Sequence, residues 1–399
     1  MDTVHANKLR AVAAYSLRTA ALLCTTGPLM QTLLATLGFS SRWIYIHATL
    51  VQGVNTVTIL LCARWADSGN AIRKSALVQV PHGLLYLLYI PLCIWKSPSL
   101  VSFAALTAIT VLQVVSVSLY TVCEYKIPYF IFPARDYGQV LAMQGIFSSL
   151  LTLGAGALVS ALTPHVPYLV IMAVACVLSA ALMLGAAFLY SRQQPVFETE
   201  EFGQSVHRHM RIPFSATFSH PSFYRLIPAN LMRGFGYGAV LVAAALALEL
   251  GFDQQVSTAM VSVQSAASLL ACGVFARLSR RVSPRVSVLV GSVSYGLLPL
   301  LLWADQTVFL AVYGIAVLGR TLIDNAVPAL LRFVVPPEIS GPYHAWRMML
   351  HNGGAMLATA AAAFIPPGPF ILLAAACQLC SGAMYMLYRD RGDSHPSAR

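Results

Sequence analysis

Twelve apolar stretches of about twenty residues, joined mostly by short loops, make up nearly all of this 399-residue chain. A helix of that length crosses roughly 30 Å of hydrocarbon. Charged residues are only 10% of the chain, whereas soluble domains carry about 25%. Because a chain so poor in charge cannot cover its own surface in water, the sequence predicts an all-α membrane protein with twelve transmembrane helices.

One connection differs from the others in length and polarity, and it lies over residues 191–224. It divides the chain into an N-terminal six-helix bundle (1–190), a cytoplasmic central loop (191–224) and a C-terminal six-helix bundle (225–399). The predicted spans are 11–36, 43–63, 75–95, 99–122, 139–162, 167–190, 225–249, 256–276, 286–303, 307–331, 343–365 and 369–388.

The distribution of positive residues predicts the orientation, because cytoplasmic loops collect Lys and Arg. If the N-terminus is cytoplasmic, 21 of the 25 Lys and Arg residues lie on the inner side. Only Arg42 and Lys96 lie on the outer side, and Arg233 and Arg320 fall within spans. Both termini are therefore expected to be cytoplasmic, and the net charge of +11 reflects membrane topology rather than nucleic-acid binding.

The two halves carry a weak internal repeat. Residues 37–39 (Leu-Gly-Phe) end the first span, and residues 250–252 repeat the same triplet at the end of the seventh. Gln52 and Gln264 follow these triplets at nearly equal distances. We expect a duplicated six-span unit with these two glutamines at similar depths, and duplicated bundles of this kind place the substrate site between the halves.

The loop between the second and third spans carries the most specific motif. Asp67 and Gly69 stand there, and Arg73 and Lys74 follow, so the loop resembles the signature loop of the major facilitator superfamily. The resemblance implies that family's fold of two six-helix bundles and a gating role for the loop, whose Asp holds the inner gate in one conformation. The corresponding second-half loop lacks the Asp and keeps the basic residues Arg277, Arg280 and Arg281.

Ionisable residues inside spans are costly, so each is a candidate functional residue. Arg320 and Asp324 are four residues apart and share one helical face. Either they form a private structural ion pair, or they line the cavity, with Asp324 as a proton site and Arg320 as a substrate anchor. Arg233 precedes three alternate glycines, which indicate either a flexible gating segment or close helix packing.

Neutral polar residues complete the predicted substrate or proton path. They concentrate in the spans that face a central path in a duplicated bundle, although each alone is also compatible with a structural hydrogen bond between helices. The path residues are Gln31, His47, Gln52, Asn55, Gln113, Gln144, Asn230, Arg233, Gln264, Arg320, Asp324, Asn325, His351 and Asn352.

Motifs of soluble chemistry do not occur in the sequence. It contains no phosphate-binding GxxxxGK[ST] loop, no GxSxG elbow and no HExxH pair. The Cys377 and Cys380 pair lies inside the last span and is interpreted as two small apolar residues. We therefore expect no enzymatic activity, no cofactor and no metal site.

These observations together predict a monomeric secondary active transporter in the lipid bilayer. It would move a small-molecule substrate by alternating access, coupled to an ion that we expect to be the proton, as a multi-pass protein of the bacterial cytoplasmic membrane. Two alternatives stay open: a proton-driven multidrug or metabolite efflux pump, and a receptor or scaffold with a transporter fold. The sequence names neither the solute nor the direction of transport.

Overall fold

The fold is described from a computed structural model of the chain. The structure describes residues 3–25, 27–62, 65, 70–95, 97–124, 127, 131–132, 134–196, 221–278, 283–334 and 340–387. Over these residues the chain is helical and contains no β-strand, which confirms the predicted all-α class.

The described residues of the first half include eight helices of seven residues or more, six of them long. Their bounds are α1 Thr3–Leu22, α2 Pro28–Thr36, α3 Ser41–Cys62, α4 Ala71–Leu87, α5 Tyr89–Trp95, α6 Leu100–Glu124, α7 Ala134–Leu162 and α8 Tyr168–Ser191. The predicted span 11–36 is thus two helices. Gly27 separates them with φ 63°, a conformation that glycine adopts without a steric penalty, and Pro28 begins the next helix without needing a backbone N–H partner.

In the second half, the part that the structure describes includes seven α-helices and one 3₁₀ segment. The bounds are α9 Pro221–Leu241, α10 Ala243–Glu249, α11 Gln254–Leu278, α12 Pro284–Ser294, the 3₁₀ helix Tyr295–Leu302, α13 Gln306–Val334, α14 Ser340–Ala362 and α15 Pro367–Leu387. The predicted span 286–303 therefore changes from α to 3₁₀ geometry at Tyr295, four residues before Pro299, which cannot donate a backbone hydrogen bond.

Nine helical segments of the described chain are long and apolar enough to cross a membrane. The pair formed by α9 and α10 makes a tenth if its two parts, which meet at 48°, count as one broken span. The segments α1 with α2, and α14, fall outside this criterion because they are shorter or more polar. The count of twelve spans and the orientation of the termini therefore stay predictions.

Helices of each half pack chiefly against helices of the same half. In the first half, α8 packs against α1 and α4, and in the second half α9 packs against α14 and α15. The halves meet mainly at two pairs, α3 with α14 and α7 with α11. The 191–224 boundary itself stays a prediction, because residues 197–220 lie outside the described chain.

Hydrogen bonds between the halves lie on the predicted outer side in the part of the chain that the structure describes. The hydroxyl of Tyr45 donates to Glu249 at 2.6 Å, and the hydroxyls of Thr49 and Thr359 are 3.0 Å apart. The amide of Gln254 donates to the hydroxyl of Thr36 at 2.7 Å. These contacts join the two halves at the end that the sequence predicts to be the outer one.

Candidate substrate and proton site

The charged residues predicted inside the second half come together in one cluster. Asp324 forms an ion pair with Arg233, which approaches from α9, and a longer contact of 3.4 Å with Arg320 on its own helix. The i,i+4 spacing therefore found one partner of Asp324, and the tertiary fold supplies a second. Because two helices share the carboxylate, the pair is not private to α13.

Two aromatic rings extend the cluster. The Arg320 guanidinium lies 4.3 Å from the centre of the Tyr237 ring, at cation–π distance. The Tyr237 ring stacks on His351 with a centroid separation of 5.2 Å and an interplanar angle of 26°. Tyr237 follows Arg233 by four residues, so its position on the same face of α9 was available from the sequence. It was missed because tyrosines were not included among the predicted path residues.

The members of the cluster differ in exposure. The Arg233 side chain is 6% exposed, whereas the Asp324 side chain is 41% exposed although it lies deep within a 29-residue helix. Arg320 is intermediate, at 28%. A small cavity adjoins the cluster and is lined by Arg233, Tyr237, Tyr295, Arg320, Ile323, Asp324, His351 and Gln378. Its volume is about 10 Å³, room for about one water molecule. The carboxylate thus combines a strong electrostatic environment with access for water.

The glycines beside Arg233 are close-packing positions. A Cβ atom on Gly234 would overlap the backbone carbonyl of His351, and one on Gly236 would meet the Gln378 side chain at 2.6 Å. The helix continues through all three glycines and breaks only at Val242. The structure therefore favours the packing interpretation over a flexible segment, and the tight contact of α9 with α14 brings Arg233 near His351.

Other predicted residues of the second half surround this cluster without joining it. The amide oxygen of Gln264 accepts a hydrogen bond from the Tyr313 hydroxyl at 2.9 Å. Asn230 is buried and accepts one from Tyr385 at 2.8 Å, and Asn325 lies 3.9 Å from the sulfur of Cys272. Asn352 is buried beside His351, and its amide nitrogen has no hydrogen-bond acceptor among the described residues.

The predicted residues of the first half are distributed over several environments. Nδ1 of His47 lies 3.1 Å from the hydroxyl of Thr107, and Gln113 accepts from Tyr89 at 2.9 Å, so both stand inside the bundle. The Gln144 amide donates to a backbone carbonyl of α1 at 3.3 Å. Gln52 and Asn55 lie half-buried on α3, the helix that packs against α14. The fold does not bring these residues into a single cluster.

Gln52 and Gln264 occupy corresponding places in the two halves. Gln52 is 11 residues after the start of α3 at Ser41, and Gln264 is 10 residues after the start of α11 at Gln254. Each of these helices packs against a helix of the other half. Their similar positions agree with a duplicated unit, and the pseudo-twofold relation stays a prediction.

Gln31 has a different role from the one its position in the first span indicated. Its side-chain nitrogen donates to the carbonyl of Leu241, and its side-chain oxygen accepts from the N–H of Ala245 at 2.8 Å. Both groups belong to the bend between α9 and α10, in the other half. The amide is buried in this contact and so joins the halves.

The predicted gating loops are described only in part. Asp67, Gly69, Arg280 and Arg281 lie outside the described residues. The Lys74 ammonium donates to the carbonyl of Trp65 at 2.7 Å and lies over its ring at 4.7 Å. Arg73 is exposed at the start of α4, and Arg277 is exposed at the end of α11. The latch role of Asp67 therefore stays a prediction.

A larger space lies between α7 and α11, with a volume of about 490 Å³. Arg277 is its only charged lining residue, and the others are Leu153, Ala266, Leu269, Leu270, Gly273 and Val274. An apolar groove of this kind offers no polar group to orient a solute within the span. The charged cluster around Asp324 is therefore the better candidate site, although its cavity is smaller.

A second ion pair was missed entirely. Arg18 of α1 pairs with Glu124 at the end of α6, and the guanidinium lies between the rings of Tyr15 and Tyr120 at 4.9 and 4.8 Å. The sequence interpretation placed Glu124 in a loop, so no acidic partner within reach was considered. Groups of three or more His, Cys, Asp or Glu that could hold a metal ion do not occur within the described ranges.

The profile of the Major Facilitator Superfamily matches residues 11–359 of the chain. The chain belongs to the Major Facilitator Superfamily. No curated protein sequence matches it significantly. This membership confirms the resemblance that the loop at Asp67 indicated, and it makes the chain a multi-pass membrane protein of transporter type.

Solved structures of other superfamily members share the fold. The crystal structure of a D-xylose–proton symporter matches with a TM-score of 0.73 and 9% identity, over 97% of this chain and 98% of that chain. The nucleoside transporter NupG matches with a TM-score of 0.63 and 14% identity, over 98% and 100%. A bacterial homologue of the iron transporter ferroportin gives 0.65 and 14%, over 97% and 99%. At these identities the likeness establishes the fold and leaves the substrate open.

Proposed function

We propose that this superfamily member is a proton-coupled secondary transporter in which Asp324 binds the coupling proton. The observation that carries the proposal is the combination of depth and exposure at one carboxylate. Asp324 is the nineteenth of 29 residues in α13, yet 41% of its side chain is exposed. A structural ion pair within a span has no need of such access, whereas a group that loads and releases protons requires it.

The two arginines give the carboxylate a means of responding to a solute. Arg233 and Arg320 both contact Asp324, so a ligand that draws either guanidinium away changes the electrostatic environment of the acid. Proton binding to Asp324 and solute binding to the arginines then affect each other, because both depend on the same two guanidinium groups. Such coupling is reciprocal. The D-xylose–proton symporter, whose fold this chain shares, moves its solute together with protons, as its name states.

The proposed carrier alternates access to the cluster from the two sides of the membrane. In this structure the outer ends of the halves are joined by the bonds of Tyr45, Thr49 and Gln254. Those bonds are short, few and exchangeable with water, which suits a gate that opens once per cycle. A receptor or scaffold would have no use for an exposed acid beneath such a gate.

The test is proton movement in proteoliposomes that contain a trapped pH-sensitive dye. Sugars, amino acids, nucleosides and organic acids are added singly, and a solute that acidifies or alkalinises the lumen through the wild-type protein identifies the carrier. Asp324→Asn should abolish this movement, because an amide cannot load and release a proton. Asp305→Asn is the matched control, since Asp305 is exposed before the first turn of the same helix.

Two outcomes contradict the proposal. Wild-type proton movement in Asp324→Asn would remove this residue from the coupling. Ligand binding without flux of any bound solute would favour the receptor interpretation. The double variant Arg320→Gln with Asp324→Asn separates the two interpretations of the pair, because full pH-coupled transport by that protein would make the pair structural.

A further inference from the structure

We propose that the solute is a small organic anion whose carboxylate binds Arg233 and Arg320, and that its binding favours protonation of Asp324. This inference rests on the proposed transport function and specifies its substrate class. It begins from a charge imbalance. The cluster contains two guanidinium groups and one carboxylate, so it carries one positive charge more than it neutralises.

The groups that face Asp324 do not correct this imbalance. They are Arg233 and Tyr237 from α9, Tyr295 from the 3₁₀ helix, His351 from α14 and Arg320 from the same helix. The side chain of Cys272, on α11, contacts Asn325. The other acidic residues of the second half within the described chain, Glu249, Asp253 and Asp305, stand at outer helix ends. An uncompensated charge at this depth is costly, so an anion is the ligand that the cluster lacks.

Hydrogen-bond donors point to the same ligand. Nη1 of Arg233 and the Nδ2 group of Asn352 are buried without an acceptor among the described residues. Nδ1 of His351, which donates in one neutral tautomer, has no partner there either. Taken as whole residues, Arg233, His351 and Asn352 are 5%, 7% and 4% exposed. Buried donors are almost always paired. A carboxylate offers four acceptor positions and fits a planar guanidinium with two parallel hydrogen bonds.

The charges and hydrogen-bonding groups of the cluster also disfavour the other classes of ligand. A cation would be repelled by the two arginines. A sugar or nucleoside needs acceptors for its hydroxyl protons, and the cavity provides mainly Asp324, already engaged by both arginines, and the amide oxygen of Gln378. Xylose, nucleosides and iron, which the structural relatives are named for, are therefore poor matches for this cluster.

Charge also explains the coupling to protons. A bound carboxylate competes with Asp324 for the guanidinium groups and repels its negative charge, which favours the protonated acid. Protonation in turn leaves both arginines to the solute and strengthens its binding. The empty cluster and the cluster loaded with one anion and one proton then carry the same net charge of +1, so loading and return meet equal electrostatic barriers.

The experiment measures thermal stabilisation of the purified transporter by benzoate, lactate and succinate, each compared with its neutral amide, at pH 5.5 and 7.5. A bound ligand raises the melting temperature by mass action. We expect at least one carboxylate to stabilise the wild type, more strongly at pH 5.5, and its amide to have no effect. Arg320→Gln should lose the stabilisation, and Arg320→Lys should retain part of it.

The Asp324→Asn variant gives the measurement that decides whether Asp324 competes with the bound anion. It removes the competing carboxylate, so the anion should bind roughly tenfold more tightly than to the wild type at pH 7.5 and with equal affinity at both pH values. A structural role for Asp324 predicts weaker binding instead. Stabilisation by amides or cations alone, by none of the carboxylates, or equally in Arg320→Gln would overturn the inference. Proton movement driven by a neutral solute would support the proposed transport function and contradict the inference that the substrate is an anion.

A second inference follows independently from Gln31. In an unbroken α-helix the N–H of Ala245 would bond to the carbonyl of Leu241, four residues earlier. Both groups instead bond to the Gln31 side chain, which enters the bend from the other half of the protein. We infer that Gln31 stabilises the 48° bend of the seventh span, and that the bend straightens when the outer ends of the halves separate.

This inference predicts that Gln31 controls the population of the outward-open state. Gln31→Leu keeps a similar volume and removes both hydrogen bonds, so the seventh span should recover its own backbone bond and the outer end should open. Spin labels on Arg42 and Asp305, exposed outer residues of opposite halves, should show a longer mean distance in Gln31→Leu. An unchanged distance distribution in a stably folded Gln31→Leu variant would overturn the inference. Gln113→Leu is the control, because Gln113 makes its hydrogen bond inside one half.

Discussion

The two halves of the protein each contain an arginine of the first span paired with an acid of the fourth. Arg18 pairs with Glu124 in the first half, and Arg233 pairs with Asp324 in the second. The arginines stand at similar places, 19 residues before Leu37 and 17 before Leu250 in the repeated triplets. The acids do not, since Glu124 ends its helix whereas ten residues of α13 follow Asp324.

The surroundings of the two pairs also differ. In the first half both side chains are largely enclosed, at 7% and 16% exposure, and tyrosine rings cover the guanidinium on two sides. In the second half the acid is 41% exposed and a second arginine shares it. An arginine and an acid on corresponding helices thus give an enclosed pair in one half and a more exposed cluster with two arginines in the other. Under the proposed function, the exposure of the acid and its second arginine distinguish the proton site from the structural pair.

The largest expected effect is the loss of the enclosed pair. Glu124→Gln removes a buried carboxylate partner of Arg18, which should lower the free energy of unfolding by about 3–5 kcal/mol. Combining it with Arg18→Gln should recover most of that loss. Melting temperatures of the detergent-purified variants measure both effects, with Arg192→Gln, an exposed arginine of the same half, as the control. A double variant no more stable than Glu124→Gln would refute the structural interpretation of this pair.

The packing that holds Arg233 in place is tested next. Gly234→Ala introduces a Cβ atom onto the carbonyl of His351, where backbone cannot move aside easily, and overpacking of this kind costs about 1–3 kcal/mol. Gly154→Ala, on α7 of the first half, places its Cβ in open space. It should be neutral or stabilising, because alanine is favoured over glycine in helices by about 1 kcal/mol. Equal melting temperatures for the two variants would contradict the close approach of α9 and α14.

The accessible acid should matter less for stability than its counterpart in the first half. Asp324→Asn also removes a counter-ion, but water and small ions reach this position, so we expect a loss of about 1–2 kcal/mol. Added carboxylate should restore the melting temperature of Asp324→Asn and leave Glu124→Gln unchanged. A loss as large as that of Glu124→Gln, without rescue by any anion, would make the two pairs equivalent.

Much of this architecture was predictable because hydrocarbon imposes a simple rule. Apolar stretches of about twenty residues locate the helices, and the described ends differ from the predicted ones by a few residues at most positions. The spacing of Arg320 and Asp324 also places them on one face. What periodicity cannot provide is the partner from another helix, since the contact of Asp324 with Arg233 depends on how α9 and α13 approach.

The missed features share the same origin. Glu124 was assigned to a loop, and α6 extends two residues beyond the predicted end at 122, far enough to place the acid beside Arg18. Gln31 was assigned to the substrate path because it is polar within a span. Its actual partners are backbone groups that only the bend between α9 and α10 makes available. A sequence indicates which polar groups need partners, whereas tertiary structure selects the partners.

The smallest expected effect concerns the outer contact that keeps the cluster closed on one side. Tyr45→Phe removes the hydroxyl that donates to Glu249 at 2.6 Å across the two halves. A hydrogen bond to a carboxylate is worth about 1.5–3 kcal/mol when buried, and Glu249 is exposed, so we expect a loss of about 1 kcal/mol. That corresponds to a roughly fivefold rise in the outward-open population. A cysteine placed at Gln52, which is half-buried below the contact on the same helix, should then react about fivefold faster with an impermeant maleimide added outside.

Tyr168→Phe is the matched control. The Tyr168 hydroxyl donates at 2.7 Å to the carbonyl of Leu29 in the same half, so its loss should leave the labelling rate unchanged. Equal acceleration in both variants would mean that the substitution loosens the fold in general and that the contact between Tyr45 and Glu249 has no particular part in closing the outer side.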